Sequence, residues 1–570
     1  MAKYLGLRGR PLSLAVSATC TIGFLLFGYD QGVMSGLITH PDFLDTFPST
    51  KNNSTMQGLV TALYEIGCLF GAIFVLFFGD IIGRKKGILA GATIMILGTV
   101  VQITSFKSGG SSRGGGLAQF IAGRIITGVG NGMNTSSIPT YQAECANTKN
   151  RGLLICIQGG IIAFGTLISY WLNYGVSDYP GSFSWRFPIA FQIVFGLMIL
   201  VGMSILPDSP RWLLSCGRDK EGTEVIAALY GLPVDSHETL LHKRIILESI
   251  AASTDVTADG KAHVTPFSEL VTNGRTQHFR RMLLGASSQL MQQIGGCNAV
   301  IYYFPILFET SIKQTRHTSL VMGGVNMAVY ALFATASWFI IERVGRRKLF
   351  IWGTLGQMLG MIITFAGLIP GTPNAGKGAA AGLFVYIAAF GASWLPLPWL
   401  YPAEVNPLRT RAKANAVSTC TNWAFNFLVV LVTPIMVDRI GWGTYLFFAC
   451  VNACFLPIIH PLHTTQTFAC DNQYDYPLTF NSYFWYPETR KRSLEEIDII
   501  FAKGYCENIS YVRAARELPL LTTEEVEEMA LRYGAGLDEG RRRVGYTYQE
   551  DGAGIESGSG EVVGEVEKVV

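Results

Sequence analysis

The sequence predicts an all-α membrane protein of twelve transmembrane helices, arranged as two six-helix pseudo-repeats. Three observations predict it: a charge-poor composition, twelve apolar runs of membrane-spanning length, and charged motifs that recur six runs apart. Hydrophobic residues make up 49% of the 570-residue chain, aromatic residues 12%, and Asp, Glu, Lys and Arg together only 15%. Mean hydropathy is +0.31. Soluble domains carry about 25% charged residues, so a multi-domain soluble enzyme is excluded. The 44 basic and 41 acidic side chains nearly cancel, to a net charge of +3, which gives no reason to expect nucleic acid as a partner.

A bilayer core needs about 20 mostly apolar residues per helix. In the first half such runs cover 13–38, 57–78, 87–106, 117–139, 152–175 and 185–206. In the second they cover 282–309, 318–341, 349–369, 380–401, 412–437 and 443–459. The first run is too long, and lacks the cleavage pattern, for a removed signal peptide. The expected organisation is a six-helix bundle over 1–206, a polar middle loop over 207–281, a second bundle over 282–489, and a tail over 490–570 whose Gly/Glu-rich end has the composition of disorder. Basic residues fall in alternate loops, at Arg84-Lys85-Lys86, Arg151, Arg346-Arg347-Lys348, Arg409-Thr410-Arg411 and Arg490-Lys491-Arg492. The positive-inside rule places these loops and both termini in the cytosol, with the plasma membrane as the expected location. Tandem sequons at Asn52 and Asn53 then fall outside.

The halves repeat each other. Gly79-Asp80-Ile81-Ile82-Gly83-Arg84 follows span 2, and Glu342-Arg343-Val344-Gly345-Arg346 follows span 8. Pro139 to Glu144 follows span 4, with Arg151 beyond; Pro402-Ala403-Glu404 follows span 10, with Arg411 beyond. Pro207-Asp208-Ser209-Pro210 follows span 6, and Pro487-Glu488-Thr489 comes after span 12. Two related six-helix halves with a site at their interface is a transporter plan. The acidic and basic groups, Asp80, Arg84, Glu144 and Arg151 with Glu342, Arg346, Glu404 and Arg411, are expected to pair across the halves as locks that break when the inner side opens. The bland alternative is exposed basic loops that only set topology.

Two features inside the spans carry chemistry. Span 7 holds Gln289, Gln292 and Gln293 on one helical face, then Asn298, Tyr302 and Tyr303. Amides donate and accept hydrogen bonds without charge, which suits a neutral polyhydroxyl ligand; amide bonding between helices is the competing reading. Asp30 is the one charged residue within span 1. An ionisable group at membrane depth is costly and marks a functional site by default, and Arg124 in span 4 is its candidate partner. Glu65 in span 2 reads as packing or a polar gate near the outer end. The eleven cysteines form no CxxC or Cys/His spacing, so neither metal nor cofactor is expected. No GxxxxGK[ST] loop is present to bind ATP, and no catalytic constellation suggests an enzyme.

The motifs GDIIGRKK, GRIITGVGNG, PTYQAE, PDSPRWL, QQIGGCN, ERVGRRK, PAEVNPLRTR and PETRKRSLEEI together resemble the sugar porter family of the major facilitator superfamily. The resemblance covers about residues 13–510, and LLFGYDQGVMSG looks fungal. It implies the major facilitator fold and alternating access. It implies sugar contacts at Gln292, Gln293, Asn298, Tyr302, Asn326, Trp399 and the Asn422–Trp423 pair, and a proton-coupling pair in Asp30 and Arg124. Span 5 departs from the pattern. The family's sugar-binding glutamine position falls at Gly159, and the nearest amide, Gln158, is one residue or about 100° away. The reading is transport of a monosaccharide, glucose- or xylose-like, by proton symport, with partners limited to a small neutral sugar or polyol, protons and the bilayer. Alternatives are glycerol or polyol symport, facilitative uniport, or a non-transporting sugar sensor.

One stretch breaks the repeat. Span 12 should run straight into Pro487-Glu488-Thr489, yet the polar segment 460–482, HPLHTTQTFACDNQYDYPLTFNS, intervenes before Tyr483. It reads as an in-frame retained intron, with a genuine loop as the alternative. If it is translated, helix 12 should be shortened or displaced. His460, His463, Cys470 and Asp471 offer no convincing metal geometry.

Overall fold

The computed structural model describes residues 3–106, 115–145, 151–252, 254–256, 262–264, 267–310, 312, 314–407, 409–459, 486–490, 492–521 and 523–534. The first half contains α1 (Arg10–Leu37), the short α2 (Pro41–Thr46), α3 (Ser54–Ile82), α4 (Arg84–Ile103), α5 (Gly115–Cys145), α6 (Arg151–Val176) and α7 (Phe183–Ile205). The middle segment, expected as a loop, forms α8 (Pro210–Ser215), α9 (Asp219–Tyr230), α10 (His237–Ala252) and a two-stranded hairpin, β1 (Thr254–Val256) with β2 (Ala262–Val264). The second half contains α11 (His278–Ile294), α12 (Cys297–Thr310), α13 (Arg316–Val344), α14 (Arg346–Leu368), α15 (Pro373–Ala389), α16 (Leu397–Val405), α17 (Arg411–Ile440) and α18 (Gly443–Ile459). The tail adds α19 (Leu494–Cys506), α20 (Tyr511–Glu517) and α21 (Thr523–Tyr533).

Among the described residues, eight helical stretches are long and apolar enough to cross a membrane by themselves: α1, α3, α4, α7, α13, α14, the run Asn374–Val405 that includes α16, and α17. Helices α5 and α6, the α11–α12 pair and the 17-residue α18 complete the twelve rods. Helix α5 falls short because it carries Arg124, Asn131, Asn134 and Thr135, all buried inside the bundle rather than facing lipid.

Local chemistry sets the helix ends. Asn53 caps α3 by accepting from the Met56 N–H, and Thr315 caps α13, its repeat partner, by accepting from the Thr318 N–H. The α3–α4 and α13–α14 corners are built on Gly83 and Gly345, at φ 88° and 97°, a left-handed region open to glycine. Each glycine is also crowded: a Cβ at Gly83 would lie 2.8 Å from the Trp212 ring, and one at Gly345 2.7 Å from Glu488 Oε2.

Packing repeats with the sequence. Helix α1 packs on α6, α3 and α4 on α5, and α7 on α4; six spans later α11 packs on α17, α14 on α15, and α18 on α14. The halves meet where α3 lies on α17, α6 on α13, and α1 on α12. Glycines bring α1 and α6 into backbone contact, since a Cβ at Gly28 would sit 1.9 Å from the Ile162 carbonyl oxygen. Close approach of small residues is how membrane helices gain dispersion energy without a hydrophobic drive.

Two spans expected as continuous helices are broken. Span 7 divides at Gly295-Gly296 into α11 and α12. Span 10, expected to bend at Pro396 and Pro398, loosens earlier into a π-helical turn, Phe390–Trp394, between α15 and α16. The freed Gly295 carbonyl accepts from Tyr386 Oη and from Asn452 Nδ2, both at 3.0 Å. Irregular backbone at this depth is tolerated only when protein groups satisfy it.

Segment 460–482 lies outside the described residues. Its flanks meet at one place: Arg347 Nε donates to the Ile459 carbonyl at 3.5 Å, and the Arg347 N–H donates to Glu488 Oε2 at 3.1 Å. The chain therefore leaves and re-enters against the first turn of α14. Deleting 460–482 should leave residues 483–485 as a sufficient bridge. The deletion protein is expected to reach the membrane and transport at least as well as the full chain. Retention inside the cell with loss of uptake would show that the segment is required.

Candidate functional site

A cavity lies between the halves. The first half lines it with Phe27 and Gln31 of α1 and Ile162 of α6. The second half lines it with Gln292, Gln293, Cys297, Asn298 and Ile301 around the α11–α12 break, Tyr330, Phe390 and Leu395, then Trp399 and Asn422. None of these lining residues is a carboxylate, lysine or arginine.

The amides have two tasks. Gln292 Nε2 donates to the Trp394 carbonyl at 2.7 Å and Gln289 Nε2 to the Pro398 carbonyl at 2.7 Å, so both satisfy backbone freed around the break in span 10. Asn422 Nδ2 donates to Gln289 Oε1 and Gln292 Oε1, at 2.5 and 3.0 Å. Asn298 Nδ2 donates to Gln293 Oε1 and Asn426 Oδ1, both at 2.6 Å. The network fixes the amide planes and leaves the carbonyl oxygens Asn298 Oδ1 and Asn422 Oδ1 buried without a partner. Such orphaned acceptors call for a donor, and a ligand hydroxyl supplies one. Trp399 offers an indole face held edge-on by Phe24 and Phe27, with ring centroids 6.2 and 6.4 Å away.

Four residues named from the family resemblance lie outside this lining. Tyr302 turns away, and its Oη donates to Glu65 Oε1 of α3 at 2.5 Å. Asn326 is wholly buried in α13 with both amide atoms unpartnered. Trp423 packs edge-on against Phe27, centroids 5.2 Å apart, one helical position from Asn422. Gln158 donates to Gln142 instead of facing the cavity, as its one-residue offset from Gly159 makes possible. Gln31 and Tyr330 line the cavity without having been picked out from the sequence. The available signal for Gln31 was a second polar side chain directly after Asp30 in an apolar span.

Beside the cavity, Asp30 and Arg124 form a wholly buried ion pair, Arg124 Nη1 donating to Asp30 Oδ1 at 3.0 Å. The guanidinium also lies over the Tyr64 ring, 4.5 Å from its centroid. Glu65, read from sequence as packing or a gate, belongs to this cluster and feels the charges of both Arg124 and Asp30. Asp30 Oδ2, Glu65 Oε2 and Arg124 Nε have no hydrogen-bond partner in it.

The charged motifs at the other helix ends form two copies of one device, and it lies within each half rather than across them. Arg84 bridges Asp80 at 2.8 Å and Glu144 at 3.1 Å, and Glu144 accepts from Ser209 Oγ. Arg346 bridges Glu342 at 2.7 Å and Glu404 at 2.6 Å, and Glu404 accepts from Thr489 Oγ1. The glycine corner explains this: it starts the next helix at the arginine, one turn from Asp80 or Glu342 on the helix just ended. Asp208 and Glu488, not singled out from sequence, accept from the first backbone N–H groups of α4 and α14. Arg411 donates to the Asn406 carbonyl at 3.1 Å, and the Arg151 side chain lies outside the described residues. Contacts that do cross the halves include Arg316, which donates to the Thr39 and Gly36 carbonyls at 2.6 and 3.0 Å, and Ser54, which donates to Asp438 at 3.2 Å.

Removing Arg346 would strand Glu404, which is 17% exposed. Breaking such a pair costs about 3–5 kcal/mol. Arg346→Ala is expected to unfold at clearly lower temperature in detergent than Arg343→Ala. Equal melting of the two variants would show that solvent already screens the triad.

A family model described as "Sugar (and other) transporter" matches residues 16–461. Sugar transporter STL1 of Saccharomyces cerevisiae is 42% identical over 558 residues, 96% of this chain and 92% of that protein. Major facilitator superfamily transporter mfsA of Aspergillus fumigatus is 42% identical over 540 residues, covering 93% of each chain. The low-affinity glucose transporter HXT1 of S. cerevisiae is 29% identical over 519 residues, 87% of this chain and 83% of that one. Among solved structures, the proton:xylose symporter XylE bound to 6-bromo-6-deoxy-D-glucose superposes with a TM-score of 0.67 at 24% identity, covering 86% of this chain and 99% of that one; at that identity the likeness speaks for the fold. A buried, charge-free cavity between two repeated six-helix halves, within a chain matched along most of its length, makes this a multi-pass membrane transporter rather than an enzyme, and the chain belongs to the fungal sugar porter family of the major facilitator superfamily.

Proposed function

We propose that the chain carries a small neutral monosaccharide across the plasma membrane by alternating access, coupled to an inward proton, with both termini in the cytosol. The observation that carries this reading is the cavity: amides and an indole face line it, and no charged side chain does. Unpartnered carbonyl oxygens answer hydroxyl donors, an indole face accepts the C–H face of a sugar ring, and the absence of an ion pair lets the ligand leave. The names of relatives such as sugar transporter STL1 and glucose transporter HXT1 point the same way.

Proton coupling is supported by charge counting beside the cavity. Two buried carboxyl groups, Asp30 and Glu65, lie near one buried guanidinium, Arg124, which pairs directly with Asp30. With both acids ionised the cluster carries a net negative charge in a medium that penalises it; one added proton makes it neutral. A cluster that gains and loses one proton as the halves rock would tie proton movement to sugar movement. The basic residues at Arg84-Lys85-Lys86 and Arg346-Arg347-Lys348 support a cytosolic location for that end of the bundle. Segments joined by Arg316 and Ser54 then form the outer closure.

Radiolabelled uptake in cells lacking their own hexose carriers tests both parts, with glucose, xylose and glycerol as separate arms and with or without an inward pH gradient. Sugar should accumulate above its external concentration only with the gradient. Asp30→Asn is expected to abolish that accumulation while downhill exchange of labelled sugar persists. Undiminished uphill accumulation by Asp30→Asn would remove Asp30 as the coupling acid, and preferential glycerol accumulation would reassign the substrate.

A further inference from the structure

We propose that Gln31 of α1 is the first half's substrate-binding side chain, holding one hydroxyl of the ligand. The proposal rests on the neutral polyhydroxyl substrate inferred above.

The cavity is lopsided. Its second-half wall holds four amides, Gln292, Gln293, Asn298 and Asn422, and their NH2 groups are already engaged. Gln292 donates to the Trp394 carbonyl, Gln293 to Gln292 Oε1 at 3.3 Å, Asn298 to Gln293 and Asn426, and Asn422 to Gln289 and Gln292. These four amides therefore offer mainly acceptors, while Tyr330 and Trp399 of the same wall carry a hydroxyl and an indole N–H. The first-half wall is Phe27, Gln31 and Ile162, so Gln31 is its one polar side chain.

Among the described residues, α6 lines the cavity with Ile162 alone. Gly159 faces the second half so closely that a Cβ would lie 3.3 Å from Pro396 Cα. Gln158 is turned to Gln142, and Ile162 is apolar. Gln31 is 5% exposed, and among the described residues its amide has no hydrogen-bond partner in the protein. The amide borders the cavity, and a polar group there with no protein partner is satisfied when a ligand enters. Its Nε2 donates and its Oε1 accepts, and a hydroxyl matches either. It also places a donor on the wall facing the Tyr330 hydroxyl and the Trp399 indole N–H.

Gln31 follows Asp30 directly, so the group that holds substrate and the group paired with Arg124 share one turn of α1. Any tilt of α1 that brings Gln31 onto the ligand also acts on the ion pair.

The test is uptake by the full chain and by Gln31→Leu, with the transported sugar and each of its monodeoxy analogues as competitors. KM of Gln31→Leu is expected to rise about 3- to 10-fold, the value of one hydrogen bond, with the maximal rate little changed. The decisive readout is selectivity. One monodeoxy analogue that wild type binds more weakly than the parent should be bound as well as the parent by Gln31→Leu, while the other analogues keep their ranking. Gln31→Asn, which retains the amide, should restore part of the discrimination. Identical parent-to-analogue ratios in wild type and Gln31→Leu would overturn the assignment and leave the proposed function standing. Wild type that takes up no sugar or polyol would overturn both. If Gln31→Leu does not reach the membrane, the same ratios are measured as ligand-induced thermal shifts of purified Gln31→Ala and Gln31→Asn. Lost discrimination in Gln31→Ala, partly regained in Gln31→Asn, then supports the assignment, and ratios identical to wild type in both overturn it.

Discussion

A polar group at membrane depth has to find its partner inside the protein, and that constraint shapes the site. Spans 7 and 10 are broken where they meet, at Gly295-Gly296 and at Phe390–Trp394. Each break frees backbone carbonyls, and side chains of neighbouring helices answer them. Gln289 and Gln292 reach across to span 10, while Tyr386 and Asn452 reach the Gly295 carbonyl. The two readings of the span 7 amides, helix bonding and ligand binding, are thus not alternatives. The Gln289 and Gln292 NH2 groups hold the span 10 break while their carbonyls hold the Asn422 NH2, and that fixes the unpartnered Asn422 carbonyl.

The same economy governs the charged ends. Two glycine corners, at Gly83 and Gly345, each deliver an arginine into a pocket of two carboxylates and one hydroxyl. Because each triad lies within one half, opening the halves does not break it. Its physical effect is to join the helix pair at the corner to the end of α5 or α16, so that each half moves as one body. Residues that do span the halves, such as Arg316, Ser54 and Tyr302, are the ones whose hydrogen bonds the proposed alternation of access would have to change.

The halves contribute unequally to the site. The second half brings the amide network and the indole, and the first brings the buried ion pair and Gln31. Tyr302 connects them, since its hydroxyl leaves the cavity to reach Glu65 beside Arg124. The amide network and the buried ion pair therefore sit in different halves, joined by one tyrosine hydroxyl.

Composition, run length and the spacing of the charged motifs were enough to read twelve spans, two related halves and the buried Asp30–Arg124 pair. They act locally or by period, and a base in an apolar span has few possible partners besides the acids in neighbouring spans. Which amides face the cavity was a different kind of fact. Tyr302 and Trp423 each sit one helical position from a cavity-lining residue, Ile301 or Asn422, a rotation that only the packing of α12 on α1 and α17 could set. Triads that sequence alone would pair across the halves close within each, because the glycine corner's φ angle, invisible in the motif string, turns each arginine back onto its own half. Sequence by itself determined the fold and the chemical character of the site; tertiary structure decided which side chain meets which, because in a close-packed bundle a side chain's partner depends on helix rotation and on the few positions where glycine lets backbones touch.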